Sequence, residues 1–336
     1  MEVTFLDVLF SVSVLILLMI PGIILAKTKI LPKGTDNALS GLILYGCQPA
    51  LMIMGFQKES YNPNMLINIL IVAGITLGIY LITIFLVLFA FKRKDKSAKI
   101  NCVRYATVFG NVGFMGIPFL KMLFPNSGEV LIYCSVVVAI FNLLNWSLGV
   151  YLITADKSNM SFRKAVLNPN TISVFIGLLL FVALKVPVVE LATENSVLDK
   201  ALTGVMNAVN YLAEAVTPLS MVVIGFKLAS IKPKALFLDK WAYVTSFNRL
   251  ILCSLFTMLV VAVLPVSNVV RAVLFFTMSM PSATSTALFA TKFGGDGNSA
   301  SVMVLLTTIL SIITIPLMYL LYSQVVPFIS TLLFGA

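Results

Sequence analysis

Two short clusters of polar and helix-breaking residues interrupt apolar stretches of the chain, one in each half. Residues 110–118 read Gly-Asn-Val-Gly-Phe-Met-Gly-Ile-Pro, and residues 278–286 read Met-Ser-Met-Pro-Ser-Ala-Thr-Ser-Thr. Inside hydrocarbon, each backbone group released from a helix is costly, so such breaks persist only beside protein or a wet cavity. Breaks in corresponding positions of two halves are typical of the binding site of a secondary transporter.

The residue types at these breaks suit the binding of an anion. A half-helix that begins at a break presents unpaired N–H groups and about half a positive charge, and we expect two such ends to point at one spot. Asn111 can add amide donors and an acceptor. Ser282, Thr284 and Ser285 can add hydroxyls. The alternative is that these side chains only satisfy backbone groups released by the breaks.

The glycines and prolines at the breaks are expected to act through the backbone. Pro118 and Pro281 shape the chain without contacting a ligand directly, since proline removes a helical N–H. The candidate substrate-binding residues at the two breaks are Gly110, Asn111, Gly113, Pro281, Ser282, Thr284 and Ser285.

Four further polar residues lie within apolar segments. Asn142 and Asn145 are three positions apart and share a helix face. They can line the same cavity, or they can hold two helices together by a hydrogen bond. Gln48 has the same two interpretations. Glu214 is a candidate for proton coupling, because carboxylates inside membranes are costly and often functional; alternatively it lies near the outer interface.

The composition predicts an integral membrane protein. Hydrophobic residues make up 60% of the chain and charged residues 11%, against roughly 25% charged in soluble domains. The mean hydropathy is +1.04. A span needs about 20 apolar residues. Ten are predicted, over residues 5–26, 37–56, 66–91, 105–123, 130–153, 170–184, 204–226, 241–264, 270–291 and 299–322.

The residue inventory disfavours an enzyme. The chain has no histidine, and its four cysteines occur singly, so neither a zinc site nor histidine-based catalysis is supported. The longest polar stretches, 92–104 and 185–200, are too short for a soluble catalytic domain. We expect no metal and no cofactor.

The net charge of +10 follows the topology of the chain. Seventeen of the 23 basic residues follow odd-numbered spans, five follow even-numbered spans, and Arg249 lies inside the eighth span. This asymmetry predicts that the odd-numbered loops are cytoplasmic. Both termini then lie on the non-cytoplasmic side of the cell (plasma) inner membrane, and the first apolar segment is expected to be a retained helix. The charge does not indicate a nucleic-acid partner.

Matching segments recur at an offset of five spans. Span 2 carries Pro49 followed by an apolar run to Gly55-Phe56, and span 7 carries Pro218 followed by an apolar run to Gly225-Phe226. The broken spans 4 and 9 have the same offset. An odd number of spans per repeat inverts the second copy in the membrane. We therefore predict a single transporter unit over 1–336, with one repeat in 1–155 and an inverted repeat in 165–336.

The whole chain resembles the auxin efflux carrier family, as a bacterial homologue of the plant carriers. The segments that carry the resemblance are 110–118, Asn168-Pro169, Thr217-Pro218 with Gly225, Pro281 followed by 290–293, and 311–316. The resemblance implies an all-α fold of ten transmembrane helices in two inverted five-helix repeats, in which spans 4 and 9 cross at their breaks. This fold is shared with sodium/proton antiporters and bile-acid sodium symporters.

The resemblance also implies a division of labour among the spans. Spans 1, 2, 6 and 7 form a scaffold, and spans 3–5 and 8–10 form a transport domain. The plant carriers have Pro-Asn at the crossing, where this chain has Gly110-Asn111. Their long cytoplasmic loop between the halves is absent here.

These observations predict a secondary active or facilitative transporter that moves a small organic anion by an elevator mechanism. The expected substrate is a carboxylate, either auxin-like or a dicarboxylate. Membrane lipid surrounds the protein, and the scaffold spans are a candidate homodimer surface. The alternatives are an anion channel, a sodium-coupled organic-anion symporter of the same fold, and a membrane sensor that does not transport.

Overall fold

Long helices account for most of the chain. A computed structural model describes residues 3–32, 34–91, 97–194, 196–229, 236 and 238–335. Within these ranges, eight helical segments are long and apolar enough to cross a membrane. The main helices are α1 (Phe5–Thr28), α2 (Thr35–Phe56), α3 (Pro63–Ala90), α4 (Ala98–Val108), α5 (Val112–Leu123), α6 (Gly128–Thr154), α7 (Pro169–Leu184), α8 (Val197–Ala229), α9 (Lys240–Val263), α10 (Asn268–Met278), α11 (Ser285–Lys292) and α12 (Gly297–Phe334).

The predicted breaks in spans 4 and 9 are confirmed. Span 4 consists of α4 and α5, which are separated at residues 109–111, and span 9 consists of α10 and α11, which are separated at 279–284. We call these segments the first and the second break. The other eight predicted spans correspond to α1, α2, α3, α6, α7, α8, α9 and α12.

Three helices extend well beyond their predicted bounds. Helix α4 begins at residue 98 instead of 105, α8 begins at residue 197 instead of 204, and α12 continues to residue 334 instead of 322. The extension of α12 is helical although it contains Pro327, because neighbouring groups in a membrane protein can satisfy the backbone carbonyl that a proline leaves free.

Asparagine-proline pairs begin two of the helices. Asn62 precedes α3 and Asn168 precedes α7, and each side chain accepts a hydrogen bond from the backbone N–H two residues later, at 2.9 and 3.0 Å. Pro63 and Pro169 occupy the first helical position, where the missing N–H costs nothing. The predicted start of span 6 at Asn168-Pro169 is therefore confirmed.

Helices α1, α2, α7 and α8 pack closely through glycines. A Cβ atom at Gly22 of α1 would lie 2.8 Å from the carbonyl carbon of Val222, and one at Gly225 of α8 would lie 2.9 Å from that of Met19. The backbones of α1 and α8 are thus in direct contact, as small residues permit in membranes. Gly177 of α7 similarly faces the ring of Phe56 in α2.

Four wide π-helical turns occur inside the long helices. They cover Ile43–Cys47 in α2, Val112–Gly116 in α5, Asn145–Gly149 in α6 and Phe247–Leu252 in α9. Such turns are rare and frequently occur at functional sites. Each of the four contains or adjoins one of the polar residues Gln48, Asn111, Asn145 and Arg249, respectively.

Seven of the basic residues on which the predicted membrane orientation is based lie outside the described residues. They are Lys33, Lys92, Arg93, Lys94, Lys96, Lys232 and Lys234.

Candidate functional site

The two breaks pair with each other through an isolated antiparallel β-bridge. The backbone N–H of Asn111 donates to the Pro281 carbonyl at 2.6 Å, and that of Ala283 donates to the Phe109 carbonyl at 2.8 Å. Gly110 and Ser282 form the bridge between them. We call the paired segments 109–111 and 281–283 the crossover. The C-terminal ends of α4 and α10 and the N-terminal ends of α5 and α11 all meet there.

A buried arginine binds the C-terminal ends at the crossover. Arg249 of α9 is 1% exposed. Its Nε donates to the Met280 carbonyl at 2.8 Å, and its Nη2 donates to the Met278 carbonyl at 2.7 Å. Its Nη1 donates to the carbonyls of Val108 at 2.9 Å and Thr107 at 3.4 Å. One guanidinium therefore joins the end of α4 to the end of α10.

The missing side chain of Gly110 makes room for this arginine. A Cβ atom at position 110 would overlap Arg249 Nη2 and lie 2.8 Å from its Cζ. The glycine at the crossing is thus explained by packing. The role of Arg249 was not predicted, although a single arginine in an apolar span often marks a functional position.

A cavity of about 560 Å³ lies beside the crossover. Among the predicted site residues, the structure places eight along its walls. These residues are Gln48, Gly110, Asn111, Gly113, Asn142, Asn145, Thr284 and Ser285. They come from α2, the first break, α5, α6, the second break and α11, so the fold brings together groups that are far apart in sequence.

Three amide groups in this wall have unused donors. Gln48 Nε2, Asn111 Nδ2 and Asn142 Nδ2 have no hydrogen-bond partner among the described residues. Their side chains are 0%, 3% and 6% exposed. Gln48 Oε1 accepts from Asn170 Nδ2 at 2.9 Å, which fixes the glutamine beside Gly113. Buried polar groups are normally hydrogen-bonded, so three unpartnered donors around one cavity indicate a place for an acceptor.

The structure corrects the prediction for Ser282. This residue is fully buried and is absent from the cavity wall, as is Pro281. Ser282 Oγ donates to the Ala106 carbonyl at 2.8 Å, and its backbone N–H donates to Thr307 Oγ1 at 3.1 Å. The hydroxyl satisfies a carbonyl near the end of α4, which is the alternative that the sequence left open.

Ser285 has a partner inside the protein as well. Its Oγ lies 2.8 Å from the Tyr105 hydroxyl, which also bonds to Asn145 Oδ1. These contacts link α4, α6 and α11 around the cavity. Thr284 lines the cavity and is partly exposed.

Glu214 does not reach the cavity, so the structure gives no support to a coupling role there. Its side chain is exposed, and its Oε1 accepts from Asn210 Nδ2 at 2.9 Å, one turn earlier in α8. The pair forms a polar face on the first half of the helix, away from the crossover.

The remaining cavity wall is apolar, with charges near one end. Phe114, Phe141 and Trp146 contribute to it, and the Trp146 and Phe289 rings lie 4.8 Å apart. Among the described lining residues, Asp36 is the one carboxylate. It lies in the first turn of α2, and Lys227 lies in the last turn of α8.

Two further lysines flank this end of the cavity. Lys164 Nζ and Lys292 Nζ lie 5.8 and 5.5 Å from the centroid of the Trp146 ring. Both follow odd-numbered spans, so the cavity opens toward the loops predicted to be cytoplasmic.

Comparison with known proteins identifies the family. A family of membrane transport proteins matches residues 7–162 and 153–319. An uncharacterized transporter of Methanocaldococcus jannaschii is 23% identical over 312 residues, which cover 91% of this chain and 96% of the relative. The predicted resemblance is therefore confirmed, and the chain belongs to the membrane transport protein family, the family of the auxin efflux carriers.

Proposed function

We propose that this membrane transporter carries a small organic anion, with the carboxylate bound at the crossover. One observation carries the proposal: three buried amide donors, which have no partner among the described residues, line a cavity that also meets the N-terminal ends of α5 and α11. A carboxylate is an acceptor, and helix N-termini favour negative charge. The one carboxylate of the described cavity wall, Asp36, lies at the opposite end and leaves this charge uncompensated.

The cavity favours a monocarboxylate with an aromatic or other apolar body. Its volume of about 560 Å³ is in the usual range for small-molecule sites. Aromatic side chains form much of the wall beyond the amides, including Phe114, Phe141 and Trp146. The second carboxylate of a dicarboxylate substrate could pair only with Lys227 among the described lining residues, and Lys227 lies near the mouth of the cavity. An auxin-like substrate therefore fits better than a dicarboxylate.

We infer ten transmembrane spans in two inverted repeats. Each half has three long segments, one broken segment and one long segment, in the same order. Helix α1 contacts α8, and α7 contacts α2. In each pair, the first span of one half packs against the second span of the other half, so the two contacts are equivalent under an offset of five spans. This relation supports the scaffold of α1, α2, α7 and α8.

An elevator movement is the mechanism that this arrangement favours. Gln48 and Lys227 reach the cavity from the scaffold, whereas Asn111, Asn142 and Thr284 reach it from the other helices. Sliding of the second group past the first would carry the crossover from one side to the other.

We infer that the described state is closed on the side opposite the cavity mouth. There the backbone N–H of Tyr61 donates to the Lys185 carbonyl at 2.9 Å, and that of Val188 donates to Gln57 Oε1 at 2.7 Å. These bonds join the α2–α3 connection to the α7–α8 connection. If the loops have the predicted orientation, this state is inward-facing.

Counterflow in proteoliposomes tests the function. Vesicles loaded with unlabelled phenylacetate should accumulate labelled phenylacetate with saturable kinetics, and succinate should compete poorly. Asn111→Ala should abolish the exchange, and Asn207→Ala, at an exposed position of α8, should not. Flux that rises without saturation would establish a channel instead, and binding without exchange would establish a sensor.

Cysteine labelling tests the orientation. An impermeant thiol reagent added to intact cells should modify a cysteine at Glu194 and spare one at Lys157. The opposite pattern would overturn the assignment of the loops and of the inward-facing state.

A further inference from the structure

We propose that Arg249 is a built-in counter-ion, which fills the place that a co-transported cation would occupy and makes anion transport independent of sodium and protons. The inference rests on the proposed function and adds its mode of coupling. It starts from the surroundings of the guanidinium, in which four main-chain carbonyls are the hydrogen-bond acceptors.

The charge of Arg249 is balanced by helix ends. A buried cation is costly unless it is paired. Here the negative ends of α4 and α10 meet at the guanidinium, and each contributes about half a negative charge. The C-terminal side of the crossover is thereby close to neutral, while the N-terminal ends of α5 and α11 keep their positive charge for a substrate.

The same carbonyls would otherwise suit a cation. Oxygens of unwound backbone and of half-helix C-terminal ends coordinate sodium in transporters built from broken helices. In this chain three guanidinium nitrogens bind those oxygens at 2.7–3.4 Å. Gly110 permits this geometry, because a Cβ atom there would overlap Nη2.

Among the described residues, no titratable group that interacts with Arg249 can couple proton movement to transport near neutral pH. Arginine stays protonated in proteins. The titratable groups that interact with it are Tyr80 of α3 and Cys253 of α9, a phenol and a thiol that are neutral at pH 7. At the mouth, the carboxylate of Asp36 interacts with Lys227. We therefore expect a flat response to pH between 6 and 8.

Two readouts test this proposal, and one of them requires no substrate. The unfolding temperature of the detergent-purified protein should be the same in sodium chloride as in choline chloride. The unfolding temperature of Arg249→Gln in choline chloride should be lower than that of the wild type. Sodium chloride should raise it, because the carbonyls that Arg249 no longer occupies can bind the sodium ion. Arg271→Gln is the matched control, since Arg271 is buried, donates to the Leu264 carbonyl at 3.1 Å and lies at the far end of α10. It should lose stability without becoming sensitive to sodium.

The second readout is phenylacetate counterflow. Wild-type exchange should be unchanged, within two-fold, on replacing sodium with choline or shifting the pH. Arg249→Gln should raise KM by about ten-fold or more, because a charge is lost behind the anion site. Arg249→Lys keeps the charge but not the set of guanidinium hydrogen bonds, so it should raise KM less than Arg249→Gln does, and it provides a charged comparison if the glutamine variant is not recovered.

Three outcomes would overturn the proposal. They are sodium-dependent stability of the wild type, wild-type exchange driven by a sodium or proton gradient, and an unchanged KM in Arg249→Gln. Failure of the proposed function looks different: phenylacetate would show no exchange under any ionic condition, while the stability pattern of the variants would remain as expected.

Discussion

The two breaks share a backbone arrangement but differ in chemistry. The first break contains Asn111, whose Nδ2 has no partner among the described residues, and Gly110, which gives its space to Arg249. At the second break, Ser282 Oγ donates to a carbonyl, and Ser285 Oγ, at the start of α11, contacts Tyr105.

The backbone contacts that hold the two breaks together are therefore distinct from the side chains that are available to a ligand. The backbone pairing requires both breaks equally, because each provides one donor and one acceptor to the crossover. Amide donors in the cavity wall that have no partner among the described residues, in contrast, are found at the first break and at Gln48 and Asn142, whereas the unpartnered hydroxyl of the second break, Ser279 Oγ, does not line the cavity. A near-symmetric backbone can therefore support an asymmetric site, and the number of hydroxyls at a break does not indicate where a ligand binds.

The largest effect is expected from Gly110→Ala, which tests whether the first break is built around Arg249. The new methyl group would displace the guanidinium or separate the helix ends. We expect a loss of about 3 kcal/mol in the free energy of unfolding, from overpacking and from weakened charged hydrogen bonds. Thermal unfolding in detergent measures it.

Gly204→Ala is the control for this change. Nothing lies within 4 Å of a Cβ atom at Gly204 in α8, so alanine should be neutral or stabilise the helix by up to about 1 kcal/mol. Equal stability of the two variants would show that Arg249 moves aside easily.

Asn111→Ala should separate transport from stability. Its Nδ2 has no partner to lose, and the backbone bond to the Pro281 carbonyl is unaffected, so the unfolding temperature should equal or exceed that of the wild type. Phenylacetate exchange should fall by about ten-fold or more, since a hydrogen bond to a charged group contributes about 1.5–3 kcal/mol. A destabilised variant with normal exchange would instead assign the amide to the fold.

Ser282→Ala should show the reverse pattern. Loss of its donor leaves the buried Ala106 carbonyl without this partner, and we expect a destabilisation of about 1–3 kcal/mol. The KM for phenylacetate should stay within about three-fold. Ser323→Ala, which removes a similar bond on an exposed face of α12, is the control. A ten-fold higher KM at unchanged stability would place the second break in the binding site.

The smallest change is expected from cysteine labelling of the second break. Thr284→Cys should react with a small thiol reagent through the cavity, and phenylacetate should slow the reaction. Ser282→Cys should react about ten-fold or more slowly, because position 282 is fully buried. The native cysteines among the described residues are buried, which keeps the background low. Equal rates would mean that the crossover opens around Ser282.

Much of the fold could be predicted from the sequence, because the spans and breaks have local signals. Apolar length identified the helices, and Gly110, Asn111 and Pro281 marked the two interruptions. Asn142 and Gln48, which stood out because a polar group is costly in lipid, both lie in the cavity wall.

The rest depends on long-range contacts. The partners of Arg249 are separated from it by 29 to 142 positions, so spacing could not reveal them. The direction of the Ser282 hydroxyl depends on how α4 packs beside the second break. Glu214 stood out by residue type, but its exposure is set by the packing of α8.

The close backbone packing at Gly22 and at Gly225 has a consequence for biogenesis. Helix α1 is synthesised early, but the backbone that it packs against belongs to α8, in the second half of the chain. An apolar helix is stable alone in lipid, because its own hydrogen bonds satisfy its backbone and lipid tails surround its side chains. The pairing of α1 and α8 must therefore follow insertion of α8, so the first half of the chain is inserted before its packing is complete.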